Sequence, residues 1–336
     1  MNISILIPEG EVRDLFTPPA VIQALEKLGK LSLNSAADYE PESMKQMLKD
    51  SHICITGWGC LPFDEDILES AKNLRLIAHT GATVAGIVTD YMYNRGIKVI
   101  SGNNLYAESV AEGVLAYILS ALRQLPYYSQ LVEKGQWRTN SSPNAGLLDK
   151  KIGLVGFGAI PRYLIPMLKP FRVEVQVYDP FISESICSEY GVSRTLSLET
   201  LFSQCDIVSN HLPLTKDTYH LIGADLLSLM PENSLFVNTA RGSTVDEKAL
   251  EDILQSGKIS AILDVYEKEP LPPTSKLRGL DNVILMPHMG GPTRDRCQMV
   301  GLALAEDIMR MINSEPLQHE IPQEYAVKMT NDRLMK

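Results

Sequence analysis

Residues 152–161 read Ile-Gly-Leu-Val-Gly-Phe-Gly-Ala-Ile-Pro, and this stretch decides the fold. A short apolar run ends in two glycines spaced by one residue, and a helix-like pattern follows. Gly156 permits a tight strand-to-helix turn, and Gly158 lets the backbone approach a pyrophosphate held by the free N–H groups of the helix N-terminus. The third position of such a turn favours glycine for close helix–strand packing; here it is Pro161, which a first helical turn tolerates because that N–H has no helical partner. Pro166 is expected to kink the helix. Asp179 closes the next apolar run, 23 residues after Gly156. A carboxylate there suits the ribose hydroxyls of an adenosine and repels a 2′-phosphate, which favours NAD over NADP. The plainer reading is a strand-end aspartate capping a turn.

Working outward, the chain alternates apolar runs with amphipathic stretches. Strands are expected at 152–156, 173–179, 206–210, 234–240, 259–265 and 282–287, with a helix over 246–255. Earlier, 3–8, 53–56, 75–80 and 97–101 read as strands buried on both faces, with helices over 19–28, 43–49, 64–71 and 89–95. A long helical pattern covers 107–132, apolar at Val110, Val114, Leu115, Ile118, Leu119 and Leu122. The Asn-, Ser-, Pro- and Gly-rich stretch 140–149 marks a loop. The last helical pattern, 293–312, is not needed to finish the second sheet and is expected to return to the first domain. The expected fold is α/β, with two doubly wound parallel-sheet domains and a cleft between them. A Rossmann-type cofactor domain covers 103–294, and a flavodoxin-like substrate-binding domain joins 1–102 to 295–336.

The chain has 336 residues, 45% of them hydrophobic and 21% charged, an ordinary globular mix that excludes wholesale disorder and collagen-like or coiled-coil character. Its net charge of −10 makes it a poor non-specific binder of nucleic acid or anionic membrane. The five cysteines, Cys54, Cys60, Cys187, Cys205 and Cys297, match no metal or CxxC spacing and fit a reducing compartment, so no metal is expected. The opening MNISILIPEG has no basic segment and does not read as a signal peptide. The most apolar run, 110–122, contains Glu112 and is too short to span a bilayer. A cytoplasmic setting is expected.

Three further motifs end apolar strands, where a doubly wound sheet places its ligand crevice. Asn238–Asp246 (N-T-A-R-G-S-T-V-D) carries Arg241, whose planar fork suits a carboxylate. Leu263–Leu271 (L-D-V-Y-E-K-E-P-L) carries Asp264, Glu267 and Glu269. Met286–Gly291 (M-P-H-M-G-G) carries His288, a natural proton carrier near neutral pH that a buried glutamate would orient and stabilise when charged. Each residue alone has a bland alternative: a capping arginine, a surface acid, a packed histidine. Three such groups at strand ends of one sheet suggest a site.

Together GFGAIP…YDP, HLPLTKDTYHLI, NTARGSTVDEKAL, LDVYEKEPLPP and PHMGG resemble the D-isomer-specific 2-hydroxyacid dehydrogenases, over about residues 50–313. The resemblance implies an NAD-dependent oxidoreductase transferring a hydride between nicotinamide and a 2-hydroxy or 2-oxo acid. Arg241 then binds the substrate carboxylate, His288 is the acid/base, and Glu269, chosen over Glu267 by the E-P step, pairs with it. Cofactor contacts fall on Gly156, Gly158, Ala159, Ile160, Asp179, Leu212, Thr218, Thr239, Ala240, Asp264, which would meet the carboxamide, and Gly290. In H-T-G-A-T-V (79–84), the amides of Ala82 and Thr83 match those that receive the substrate carboxylate. Thr83 stands where the family usually has glycine, Gly86 where it often has asparagine, and Trp58 adds a ring to a cleft-facing loop. A homodimer is implied, packed through the cofactor domains and the long 107–132 helix. A formate-type relative is disfavoured by Glu269, whose place typically holds glutamine there. A phosphite-type oxidoreductase is harder to separate, and an NAD(H)-sensing corepressor-like protein is disfavoured by the short flanks.

Overall fold

The computed structural model describes residues 1–139 and 144–331. The first four positions of the loop expected at 140–149 lie outside the described residues. Contacts divide the chain into two compact units, Met1–Tyr106 with Pro292–Lys336, and Ala107–Gly291.

In the first unit five strands, β1 (Asn2–Ile5), β2 (Lys30–Leu33), β3 (Ile53–Thr56), β4 (Leu76–His79) and β5 (Lys98–Ser101), form one all-parallel sheet in the order β2-β1-β3-β4-β5. Side chains alternate across a strand, so each run feeds two cores. Ile53, Ile55, Leu76, Ala78 and Ile100 enter one, and Cys54, Ile77 and Val99 the other. The helices Glu11–Phe16, Pro19–Glu26 and Arg294–Ile312 cover the first of these faces. A strand order 2-1-3-4-5 is the flavodoxin-like arrangement.

In the second unit seven parallel strands follow: β6 (Lys151–Val155), β7 (Glu174–Tyr178), β8 (Ser193–Thr195), β9 (Ile207–Asn210), β10 (Leu235–Asn238), β11 (Ser260–Leu263) and β12 (Val283–Leu285). Their order is β12-β11-β10-β9-β6-β7-β8. The order reverses between β6 and β9, and the ends of these two strands form the switch point where such sheets bind dinucleotides. Gly153 in β6 is bare because a methyl there would overlap the Leu201 side chain of the covering helix.

Two strands and one helix lack a clear sequence signal. β2 and β8 are sheet edges and largely exposed, so neither carries a continuous apolar run. Glu11–Phe16 is only six residues and buries only Phe16. The long pattern expected at 107–132 is two helices, Asn103–Arg123 and Leu125–Glu133. They break at Gln124, whose φ of 51° is left-handed, and Pro126 sits in the first turn of the second helix. The first of the two is longer than the apolar run suggested, and its 21 residues are long and apolar enough to cross a membrane. Ala111, Val114 and Ile118 on it are fully buried in a core with Ile152 and Leu154. Pro166 lies within the helix Ala159–Leu168, close to its end.

Gly301, midway along Arg294–Ile312, faces the Phe16 carbonyl so closely that a methyl would overlap it. Gly301→Ala is expected to push the two helices apart and cost about 1–3 kcal/mol, the scale of overpacking, read as a lower urea midpoint; an unchanged midpoint would show that the contact has slack.

Candidate active site

The phosphate turn follows β6. Gly156 has φ 93°, and a methyl there would crowd the His211 carbonyl, so both conformation and space demand glycine. Gly158 differs: a methyl would meet nothing within 4 Å. That open space lies at the N-terminus of Ala159–Leu168, which has no side-chain cap. The amides of Ala159 and Ile160 therefore face a cradle able to hold a phosphate. Asp179 lies beside it and is not idle. Its carboxylate accepts from the Phe157 amide at 2.8 Å and the Phe181 amide at 2.7 Å, which ties the glycine turn to the end of β7. Each oxygen keeps a lone pair for a ribose hydroxyl.

A buried amide network shapes the turn after β10. Asn210 donates to Asn238 Oδ1 (3.1 Å) and Thr244 Oγ1 (2.7 Å), and Thr244 donates to the Arg241 carbonyl (2.7 Å). Asn238 adds a bond to the same carbonyl and receives the Ala240 amide. Gly242 then packs so tightly on Tyr266 that a methyl would overlap its backbone. Arg241 is thus held by the strand ends, with its Nη1 on the Ala240 carbonyl at 2.7 Å. Sequence reasoning missed Asn210, Asn238 and Thr244; their only signal is polar residues at the ends of apolar strands.

Asp264, 1% exposed at the end of β11, accepts from the amides of Met289 (2.8 Å) and Gly290 (2.7 Å). These amides follow His288, whose φ is 52°. Tyr117 on the long helix donates to Asp264 at 3.4 Å, and burial raises its phenol pKa, so it stays a donor. Sequence reasoning also missed Tyr117, which reads as one more apolar helix position.

His288 Nδ1 and Glu269 Oε2 lie 2.6 Å apart. The expected burial of the glutamate is not met: the two side chains are 46% and 35% exposed. The hydrogen bond with Glu269 raises the His288 pKa above its ordinary value, against a smaller downward push from burial. Burial pushes Glu269 up, but hydrogen bonds from His288 and the Tyr266 amide and the charges of His288 and Arg241 outweigh it, and the net is downward. Arg241 lowers both groups, so all three feel one another. Glu267 goes elsewhere: it lies 2.6 Å from His220 Nε2, off the line of an N–H bond, and trades backbone bonds with Glu247.

Other expected residues divide. Thr239 Oγ1, buried beside Ala240, finds no hydrogen-bond partner among the described residues. His211 Nδ1 is equally orphaned next to the glycine turn, and burial lowers its pKa to about 3, which keeps it neutral. Leu212 is buried. Thr218 spends its hydroxyl inside its own loop, on the Thr215 amide and the Pro213 carbonyl. In the first unit Trp58 is half exposed, with its ring edge-on to Phe16. Ala82 and Thr83 donate their amides to no protein acceptor among the described residues.

Residues 115–290 match the family model described as D-isomer specific 2-hydroxyacid dehydrogenase, NAD binding domain. The chain is 32% identical to a D-3-phosphoglycerate dehydrogenase of Methanocaldococcus jannaschii, over 95% of this chain and 62% of that one. A second such dehydrogenase, from Archaeoglobus fulgidus, is 34% identical over 77% of this chain and 49% of its own length. The chain thus spans about half to three fifths of these two relatives. A hydroxypyruvate reductase of Thermotoga maritima is 36% identical over 73% of this chain and 80% of its own. Among solved structures, a phosphoglycerate oxidoreductase of Rhizobium etli superposes with a TM-score of 0.79 at 25% identity, covering 96% of this chain and 99% of that one. The orphaned Thr239 hydroxyl, the open cradle at Gly158 and the matched domain agree on a nicotinamide cofactor.

Glu269 favours the charged imidazole, so removing its charge must favour the neutral one. In Glu269→Gln the His288 titration midpoint, followed by NMR, is expected to fall from above the ordinary histidine value toward or below it; an unmoved midpoint would mean the pair is not formed in solution.

Proposed function

Because the chain belongs to the D-isomer-specific 2-hydroxyacid dehydrogenase family, we propose that it interconverts a 2-oxo acid and a 2-hydroxy acid, with His288 as proton carrier, Glu269 as its partner and Arg241 as the substrate's anchor. The observation that carries this reading is the 2.6 Å His288–Glu269 pair within the field of Arg241. When bound, the nicotinamide supplies or accepts the hydride. The chain's own residues do the rest. Gly156, Gly158, Ala159 and Ile160 hold the pyrophosphate, Asp179 the ribose, and Leu212, Thr218, Thr239, Ala240, Asp264 and Gly290 the remaining cofactor contacts. In the direction of reduction, protonated His288 donates to the 2-oxo oxygen, and in oxidation the neutral ring takes the hydroxyl proton. Glu269 strengthens the hold of His288 on its proton and fixes the ring by its Nδ1. Arg241 binds the carboxylate and opposes the negative charge that grows on the 2-oxo oxygen. In the first unit, the amides of Ala82 and Thr83 are proposed carboxylate donors and Trp58 a wall for the substrate side chain.

NAD is favoured over NADP, since Asp179 carries a negative charge that a 2′-phosphate would meet. The same reading includes a homodimer and a cytoplasmic setting. The helix Leu125–Glu133 supports the first, because it buries no residue yet carries exposed Leu125, Tyr127 and Val132. Five cysteines that form no disulfide are in keeping with the second.

A panel of 2-oxo acids with NADH, covering glyoxylate, hydroxypyruvate, pyruvate and larger apolar members, tests the reaction by loss of nicotinamide absorbance; no turnover on any would refute it. His288→Ala is expected to lose roughly 10²–10⁴-fold in rate while still binding NADH by fluorescence. Wild-type turnover in that variant would remove the acid/base role. Asp179→Ala is expected to narrow the preference for NADH over NADPH and leave maximal turnover with saturating NADH nearly unchanged.

A further inference from the structure

Thr83 does not turn its hydroxyl toward a ligand. It donates to the Thr330 carbonyl at 2.6 Å. Two residues on, the Ala85 carbonyl accepts from Asn331 Nδ2 at 3.3 Å. The segment making these bonds is itself firmly placed. Asp307, 1% exposed, accepts the amides of Gln318 and His319 and so sets the direction in which the chain leaves its last long helix. Glu320 then bridges Ile100, the Ile321 amide donates to Val99, and Tyr93 donates to the Ile321 carbonyl. Ile321, Ala326 and Met329 are buried in the same core as Val84 and Ile87. From Gln318 to Asn331 the chain therefore runs as a strap whose far end grips the loop that offers the Ala82 and Thr83 amides. Ser101 holds the same loop from the other side, donating to the Ala82 carbonyl at 3.0 Å.

We propose that this strap, acting through the Thr83 hydroxyl, is a positioning device that sets the enzyme's affinity for the substrate carboxylate; the inference rests on the placement of that carboxylate proposed above. Loop amides receive an anion well only if they already point at it, because a mobile loop must be ordered at the moment of binding and affinity falls accordingly. A threonine is stiff at χ1, and once its hydroxyl is fastened its own amide is fixed too. The strap supplies no residue to the proposed proton carrier or cofactor cradle, so its effect belongs in KM and not in kcat.

The test compares Thr83→Val, which keeps the shape and loses the hydroxyl, with Thr83→Ser, which keeps the hydroxyl. The substrate is the 2-oxo acid that wild type reduces best. In Thr83→Val, KM is expected to rise roughly two- to tenfold, the scale of one lost hydrogen bond. Its kcat and NADH affinity (read by fluorescence) should hold, and amide hydrogen exchange in the peptide spanning 81–85 should quicken. Thr83→Ser should restore both KM and exchange. Wild-type exchange or wild-type KM in Thr83→Val, with wild-type turnover intact, overturns the strap alone. So does a parallel change in KM, kcat and NADH affinity with a lower Tm, which is the mark of a general packing role. A wild-type protein that reduces no 2-oxo acid overturns the proposed function, and the strap's role with it.

Discussion

The buried carboxylate of Asp264 governs the geometry of the loop that carries His288. Residue His288 sits at φ 52°, a conformation that costs a side-chain-bearing residue about 1–2 kcal/mol. The two amides that follow it both donate to Asp264. Bonds from N–H groups to a charged acceptor contribute about 1.5–3 kcal/mol each, so the pair outweighs the strain. The result is a loop in which the imidazole is aimed by the backbone of its neighbours. The charge itself is tolerable in the interior because both carboxylate oxygens are engaged and Tyr117 adds a third donor.

A second polar device works by the same logic one strand away. The amides and hydroxyl of Asn210, Asn238 and Thr244 close a network beneath the Arg241 turn, and the network is internally bonded. Buried polar groups of this kind rigidify when paired and destabilise when not. Gly242 couples the two devices, since its missing side chain lets the Arg241 turn lie directly on the backbone of Tyr266, whose amide in turn holds Glu269. Arginine, glutamate and histidine therefore share one scaffold of strand ends, although 47 positions separate the first from the last.

How far the sequence reveals this depends on what each feature looks like as a pattern. Interior strands such as β3, β4, β9 and β10 are buried along their whole length and read as apolar runs. Edge strands β2 and β8 do not, because a strand exposed on one side needs no such run. Gly156 is legible since both its φ and its neighbours require glycine, and the motif residues stand at predictable strand ends. Tyr117, Asn210, Asn238 and Thr244 are not legible. Their roles come from contacts across 20 or more positions, and no local period encodes such a contact. Thr218 shows a further limit of motif reading, since its hydroxyl also holds its own turn together, a role that the motif does not announce.

The half-exposed state of the His288–Glu269 pair suits the proton transfer proposed for it. A fully buried pair of this kind would hold its proton against a large desolvation cost and exchange it with solvent slowly. Burial alone drives His79 to about 4 and His211 to about 3, and at such values a ring carries no proton at neutral pH. His288 escapes that outcome because Glu269 is close enough to outweigh both its partial burial and the opposing charge of Arg241. His79 and His211 are lowered by burial, whereas His288 is raised, and the difference between them is the Glu269 carboxylate at its Nδ1. Of these three rings, His288 alone has its hold on a proton strengthened, and it is the one within the field of Arg241.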